Sequence, residues 1–204
     1  LFPYTTLFRS DFACTLFGKA ELMKARHCYD DAKVLYDKAL SLRKKRLSSD
    51  HPLIADVLSA LAENYRLQGK YEKALPLQER ALGKRLGAFG KAHPAVADSL
   101  ATLSLVTYSM GKYNDSLPLA EEALAIRMDF FGQHHPLVAQ SLNNLAGLLH
   151  TLGRYDDSRA SYERSLIIKR AIFGKSAHGA TFFISVFQAV QHHVVHDRAV
   201  TDAV

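Results

Sequence analysis

The dipeptide His-Pro stands at 51–52, 93–94 and 135–136, and the sequence between these pairs repeats as well, giving the chain an internal period of 42 residues. A fixed period of a few tens of residues means one supersecondary unit per repeat. Such a unit is too small to bury its apolar face alone and must stack on a neighbour. A chain built this way acts through an extended surface, and it is expected to form a single stack without an internal domain boundary.

Each unit reads as two helices. Proline suits the first helical position, where a missing N–H has no intrahelical partner to lose, so each His-Pro opens a helix A. Ala55, Leu58, Leu61, Ala62 and Tyr65 then follow the 3.6-residue period of one helix face. Ala97, Leu100, Leu103 and Ser104 match them in the next unit, and Ala139, Leu142, Leu145, Ala146 and Leu149 in the one after. Gly69-Lys70-Tyr71, Gly111-Lys112-Tyr113 and Gly153-Arg154-Tyr155 close helix A with a residue that tolerates the left-handed conformation. Helix B starts at once, with the stripe Tyr71, Ala74, Leu77, Ala81 and Leu82 repeated as Tyr113, Ser116, Leu119, Ala123 and Leu124, and it should stop near Gly90, Gly132 and Gly174. Small residues at 62, 104 and 146 and at 74, 116 and 158 allow the two helices to interlock.

The full repeats are therefore 51–92, 93–134 and 135–176. Residues 11–50 form a partial or degenerate first repeat, because Tyr29, Ala32, Ala39 and Leu40 keep the register of helix B. Its helix A, around Leu16 to Arg26, is poorly patterned: Lys19 stands where Leu61 stands one unit later, and His27 replaces the turn glycine. The ends look foreign to the array. Residues 1–10, LFPYTTLFRS, resemble a translated sequencing adapter and are set aside as an artefact. Residues 177–204 lose the register and read either as a divergent C-terminal cap or as a read-through tail. The apolar run from Phe12 to Phe17 is too short and too interrupted for a secretory signal. No stretch approaches the roughly 18 apolar residues of a membrane span.

With 48% hydrophobic and 23% charged residues the chain can build a continuous core. Its formal charge of +6 favours an acidic partner mildly. Much of that excess falls near the ends of helix B, in Arg43 to Arg46, Lys84-Arg85 and Lys169-Arg170. Arg43, Arg85, Arg127 and Lys169 recur with the period, which points to cations that neutralise helix ends and bridge units more than to a basic stripe. Phe89, Phe131 and Phe173, with Leu47 one unit earlier, are expected in the core. Cys14 and Cys28 are too few for a disulfide framework, which fits a reducing, cytoplasmic compartment.

Small residues eight and twenty places into the unit, glycine at fifteen and an aromatic at seventeen make this pattern resemble the tetratricopeptide repeat. The ordinary unit has about 34 residues; the longer unit here is similar to that of the kinesin light chain subtype. HPLVAQSLNNLAGLLHTLGRYDDS, from His135 to Ser158, and ALAIRMDFFG, from Ala123 to Gly132, carry the likeness, which covers residues 16 to 176. The resemblance implies an all-α, right-handed superhelical solenoid of antiparallel helix pairs, with helix A faces lining a concave groove for a peptide. It also implies that Asn143 and Asn144 are groove asparagines able to donate to and accept from a peptide backbone. Ser59-Ala60 and Ala101-Thr102 stand at the same places in the earlier units, so the cargo of a kinesin light chain does not transfer.

Gln140 is a further groove candidate, and Arg66, Tyr108 and His150 occupy one equivalent site in successive units, offering a cation, an aromatic and a titratable imidazole. A clamp for a terminal carboxylate, which takes lysine, asparagine and arginine at set places, does not fit Asp56, Ser59, Ala60 and Glu63. His51, His93 and His135 are read as helix-start residues that contact the previous unit, since stacking separates them too far to share a metal. His192, His193 and His196 make a weak metal cluster in the doubtful tail. Phosphate-binding loops, HExxH and GxSxG are absent. The expectation is a non-enzymatic adaptor that binds a protein or peptide, without cofactor or metal and without nucleic acid or membrane as partner; its oligomeric state stays open. The alternative is the sensor or regulatory segment of a larger signalling enzyme or nucleotide-switched receptor.

Overall fold

A computed structural model describes residues 4–173. Those residues form α1 (Tyr4–Ala25), α2 (Tyr29–Lys44), α3 (Pro52–Leu67), α4 (Tyr71–Phe89), α5 (Pro94–Ser109), α6 (Tyr113–Phe131), α7 (Pro136–Thr151) and α8 (Tyr155–Phe173), with no strand among them. The odd-numbered helices are the helix A elements and the even-numbered ones helix B. The expected all-α, tetratricopeptide-like helix-pair architecture is what the chain adopts. Gly174, the side chain of Phe173, His192, His193, His196 and the whole 177–204 segment lie outside the described residues.

The chain divides into two compact units, residues 1–126 and 127–204, in place of the undivided stack expected. Packing in a repeat architecture is local, since each repeat touches only its neighbours. In the first unit α1 pairs with α2 and α3 with α4, and consecutive pairs join through α2 with α3 and α4 with α5. In the second, α7 pairs with α8.

Helix starts follow one chemical device. The Nδ1 atoms of His51, His93 and His135 accept from the backbone N–H groups of Leu53, Ala95 and Leu137 at 3.2, 3.1 and 3.2 Å, capping the first turn while proline occupies the first helical position. The previous unit is touched as expected: the His93 ring stacks on Phe89 at 4.2 Å and the His135 ring on Phe131 at 4.2 Å. These phenylalanines are lids over the caps and not core. Phe89 is 41% exposed, because it sits at the last turn of helix B, beyond the reach of the next helix A. Helix ends follow a second device. Gly69, Gly111 and Gly153 take φ of +72°, +76° and +76° just past helix A, and His27 takes +62° at the matching place after α1.

Helix A meets helix B at the small residues. Ala62 and Ala74 are both fully buried in one cluster. Ser104 and Ser116 occupy the same places in the next repeat and join their hydroxyls at 2.8 Å, and the Ser158 hydroxyl donates to the Ala146 carbonyl at 2.8 Å. Arg43, Arg85 and Arg127 bridge repeats, as the spacing indicates. They do not neutralise helix C-termini: they are 6%, 8% and 4% exposed and each donates to a first-turn carbonyl of the following helix A, that of Leu53, Ala95 and Leu137 respectively. Arg85 and Arg127 also donate to the hydroxyls of Ser99 at 2.8 Å and Ser141 at 2.7 Å.

The first repeat folds as a helix pair despite its weak pattern. Ala20, Ala32 and Tyr36 form a buried cluster with Val57, Ala60 and Leu61. Tyr36 donates its hydroxyl to Glu21, and burial, reinforced by that bond, raises its pKa above the usual phenol value. α1 begins at Tyr4, well ahead of the expected Leu16, because nothing after Pro3 breaks a helix until the chain reaches His27.

Candidate functional site

A helix pair buries the helix A residues that face helix B and the neighbouring pair, which leaves one outer strip per helix A. In the first unit α3 lies beside both α1 and α5, so three such strips are adjacent. They carry Glu21 and Lys24 on α1, Asp56, Ser59, Glu63 and Arg66 on α3, and Asp98, Ala101, Thr102, Leu105 and Tyr108 on α5. The sequence-predicted Arg66 and Tyr108 are thereby brought to neighbouring helices.

Arg66 is no free cation. Its Nε and Nη2 atoms donate to the two carboxylate oxygens of Glu63 at 2.7 Å each, and these bonds hold the guanidinium above its ordinary pKa. The sequence reading passed over the matching pair on α1, where Lys24 Nζ lies 2.7 Å from Glu21. Both pairs span three residues on one helix, a spacing that brings side chains together. Asp56 receives Arg85 Nη2 from helix B at 2.8 Å. Tyr108 rests against Tyr113, with ring centroids 5.2 Å apart.

In the second unit the strip on α7 is of another kind. Gln140 and Asn143 are exposed and Asn144 is half-buried, and none of the three bonds to another described residue. Gly147 stands at the register of Glu63 and Leu105 and leaves the surface low; a Cβ there would lie 3.5 Å from the Tyr162 hydroxyl. His150 meets the Tyr155 ring edge-on at 5.2 Å. Four of the candidate residues, Gln140, Asn143, Asn144 and His150, therefore share one helix face. Such a strip offers amide donors and acceptors in a row along about three helical turns, suited to the backbone of an extended chain.

Among the described residues no group of histidine, cysteine or acidic side chains is placed to hold a metal ion. No described helix is long and apolar enough to cross a membrane.

Residues 11–86 and 95–171 match the tetratricopeptide repeat family. No curated protein matches the chain in sequence. Among solved structures the chain is similar to BtubC (BKLC) from P. vanneervenii, with 24% identity and a TM-score of 0.71 over 79% of this chain and 65% of that one. A Podosopora anserina protein described as a kinesin light chain with nearly identical TPR-like repeats aligns with 21% identity and a TM-score of 0.62, over 78% of this chain and 76% of that one. A Rap protein complexed with Competence and Sporulation Factor aligns with 21% identity and a TM-score of 0.72, over 85% of this chain and 46% of that one. At these identities the likeness concerns the fold.

Proposed function

We propose, from the premise that the chain belongs to the tetratricopeptide repeat family, that it is a binding module, without catalysis of its own, for a peptide segment of a protein partner. The peptide lies along the outer strips of helix A. The observation that carries this reading is the row of Gln140, Asn143 and Asn144, amides that no described residue engages. A buried peptide backbone needs both donors and acceptors, and an amide side chain supplies both without the desolvation cost of a charge.

The likeness to kinesin light chain structures supports an adaptor that works in the cytoplasm. A second reading, the sensor segment of a larger signalling protein, draws support from the Rap protein complex, of whose chain this one spans 46%. Both readings need the same strip. They part on what the partner triggers: an adaptor only tethers it, whereas a sensor changes the output of a domain joined to it.

A peptide array probed with the full chain and with an Asn143→Ala, Asn144→Ala double variant tests the strip. Loss of most retained spots at unchanged helicity is expected. Retention of every spot by the variant would remove the strip from the binding site.

A further inference from the structure

The formal charge of +6 suggests an acidic ligand, but the cations are not where a peptide would lie. On the adjacent strips of α1, α3 and α5, Glu21, Asp56, Glu63 and Asp98 outnumber Lys24 and Arg66. Both of those cations are held by an acid of their own helix, Lys24 by Glu21 at 2.7 Å and Arg66 by Glu63 through two bonds of 2.7 Å. Arg85 meets Asp56 from below and is fixed there, since its guanidinium also donates to the Ala95 carbonyl and the Ser99 hydroxyl. Glu21 is held on the face in turn by the buried Tyr36 hydroxyl. Much of the excess positive charge stands on exposed helix B positions and the turn after α2, as with Lys38, Lys44, Lys45, Lys73 and Arg80.

A ligand carboxylate that reaches Arg66 has to displace Glu63 and then lie against it, with Asp56 on the same helix. Like charges so placed discriminate against acidic partners. On α7 the strip of Gln140, Asn143, Asn144, Gly147 and His150 contains no lysine, arginine or carboxylate that would offset this.

We propose, resting on the peptide-binding reading above, that the segment bound along α1, α3 and α5 is uncharged or cationic and excludes acidic side chains. The ion pairs of the strip act as a filter: they neutralise the surface toward an uncharged peptide, leave Asp98 and its neighbours to favour lysine or arginine, and repel aspartate and glutamate.

The test is an array in which each peptide is present in a neutral, a lysine-bearing and an aspartate-bearing version, probed with the full chain at low and at high salt. Aspartate-bearing versions should be retained about tenfold more weakly than their neutral counterparts, which is roughly 1.4 kcal/mol. A Glu63→Gln variant, its fold checked by helicity and melting, should narrow that gap by releasing Arg66. The proposal is overturned if wild type retains the aspartate versions best and loses them as salt rises, or if Glu63→Gln leaves the gap unchanged. Retention of no peptide in any version overturns the peptide-binding reading and this inference with it.

Discussion

The joints between repeats and the outer strips of helix A obey different rules. At the joints the same residue type returns every 42 positions and does the same work each time. Histidine caps the next helix, glycine turns the chain, and a buried arginine reaches a first-turn carbonyl. On the outer strips the period fails: Arg66 gives way to Tyr108 and then His150, and Glu63 to Leu105 and then Gly147. What recurs holds the repeats together, and what departs from recurrence is free to be chosen by a partner. Substitutions at joints should therefore cost stability, and substitutions on the strips should cost binding.

The largest effect is expected where helices interlock. Ala74→Leu drives a branched side chain into the fully buried contact with Ala62 and should destabilise the fold by about 1 to 3 kcal/mol, read from urea unfolding. His93→Ala removes a cap and should cost about 1 kcal/mol. His51→Ala should cost less, because Leu47 stands where Phe89 stacks on His93, and such aromatic pairs contribute about 0.5 to 1.5 kcal/mol. Equal losses at the two caps would break the assignment of the phenylalanine as a lid.

His27→Gly works in the other direction. A left-handed φ costs a side-chain-bearing residue about 1 to 2 kcal/mol, so glycine should raise stability by up to that amount, less the His27 contact with Tyr29 at 2.8 Å. Tyr36 carries no pH dependence near neutrality. Its folded pKa is raised, so the unfolded chain ionises first; the contribution is fully present below pH 10.0 and is lost as pH rises beyond it. Tyr36→Phe should remove that alkaline slope in a pH series of melting temperatures. The smallest effect belongs to the strip. Asn143→Ala with Asn144→Ala should move stability by no more than about 0.5 kcal/mol. A larger loss would assign the asparagines to the frame.

Helix boundaries were legible because proline, glycine and the 3.6-residue period all act locally. Gln78 and Asn64 were not. Both are fully buried, one donating to the Ser99 carbonyl at 2.8 Å and the other to the Tyr29 carbonyl at 3.0 Å, each on a neighbouring helix pair. A polar residue inside an apolar pattern reads as surface until the neighbour that satisfies it is in place. The phenylalanine ladder was misread for the converse reason: periodicity marks recurrence, and an aromatic can recur as the lid of a cap as readily as in a core. On the strips, Asn143 and Asn144 came from family likeness. The pairs that neutralise Lys24 and Arg66 were readable as i, i+3 spacings, but the choice of partner among several nearby acids was settled only by geometry.

The most direct test follows the side-chain amides by ¹⁵N NMR while a peptide retained on the array is titrated into the full chain. The NH₂ signals of Gln140, Asn143 and Asn144 should shift together while those of the buried Asn64 and Gln78 stay in place. Shifts confined to helix B, or unmoved amides on α7 at saturating peptide, would contradict the assignment of function to the helix A strip.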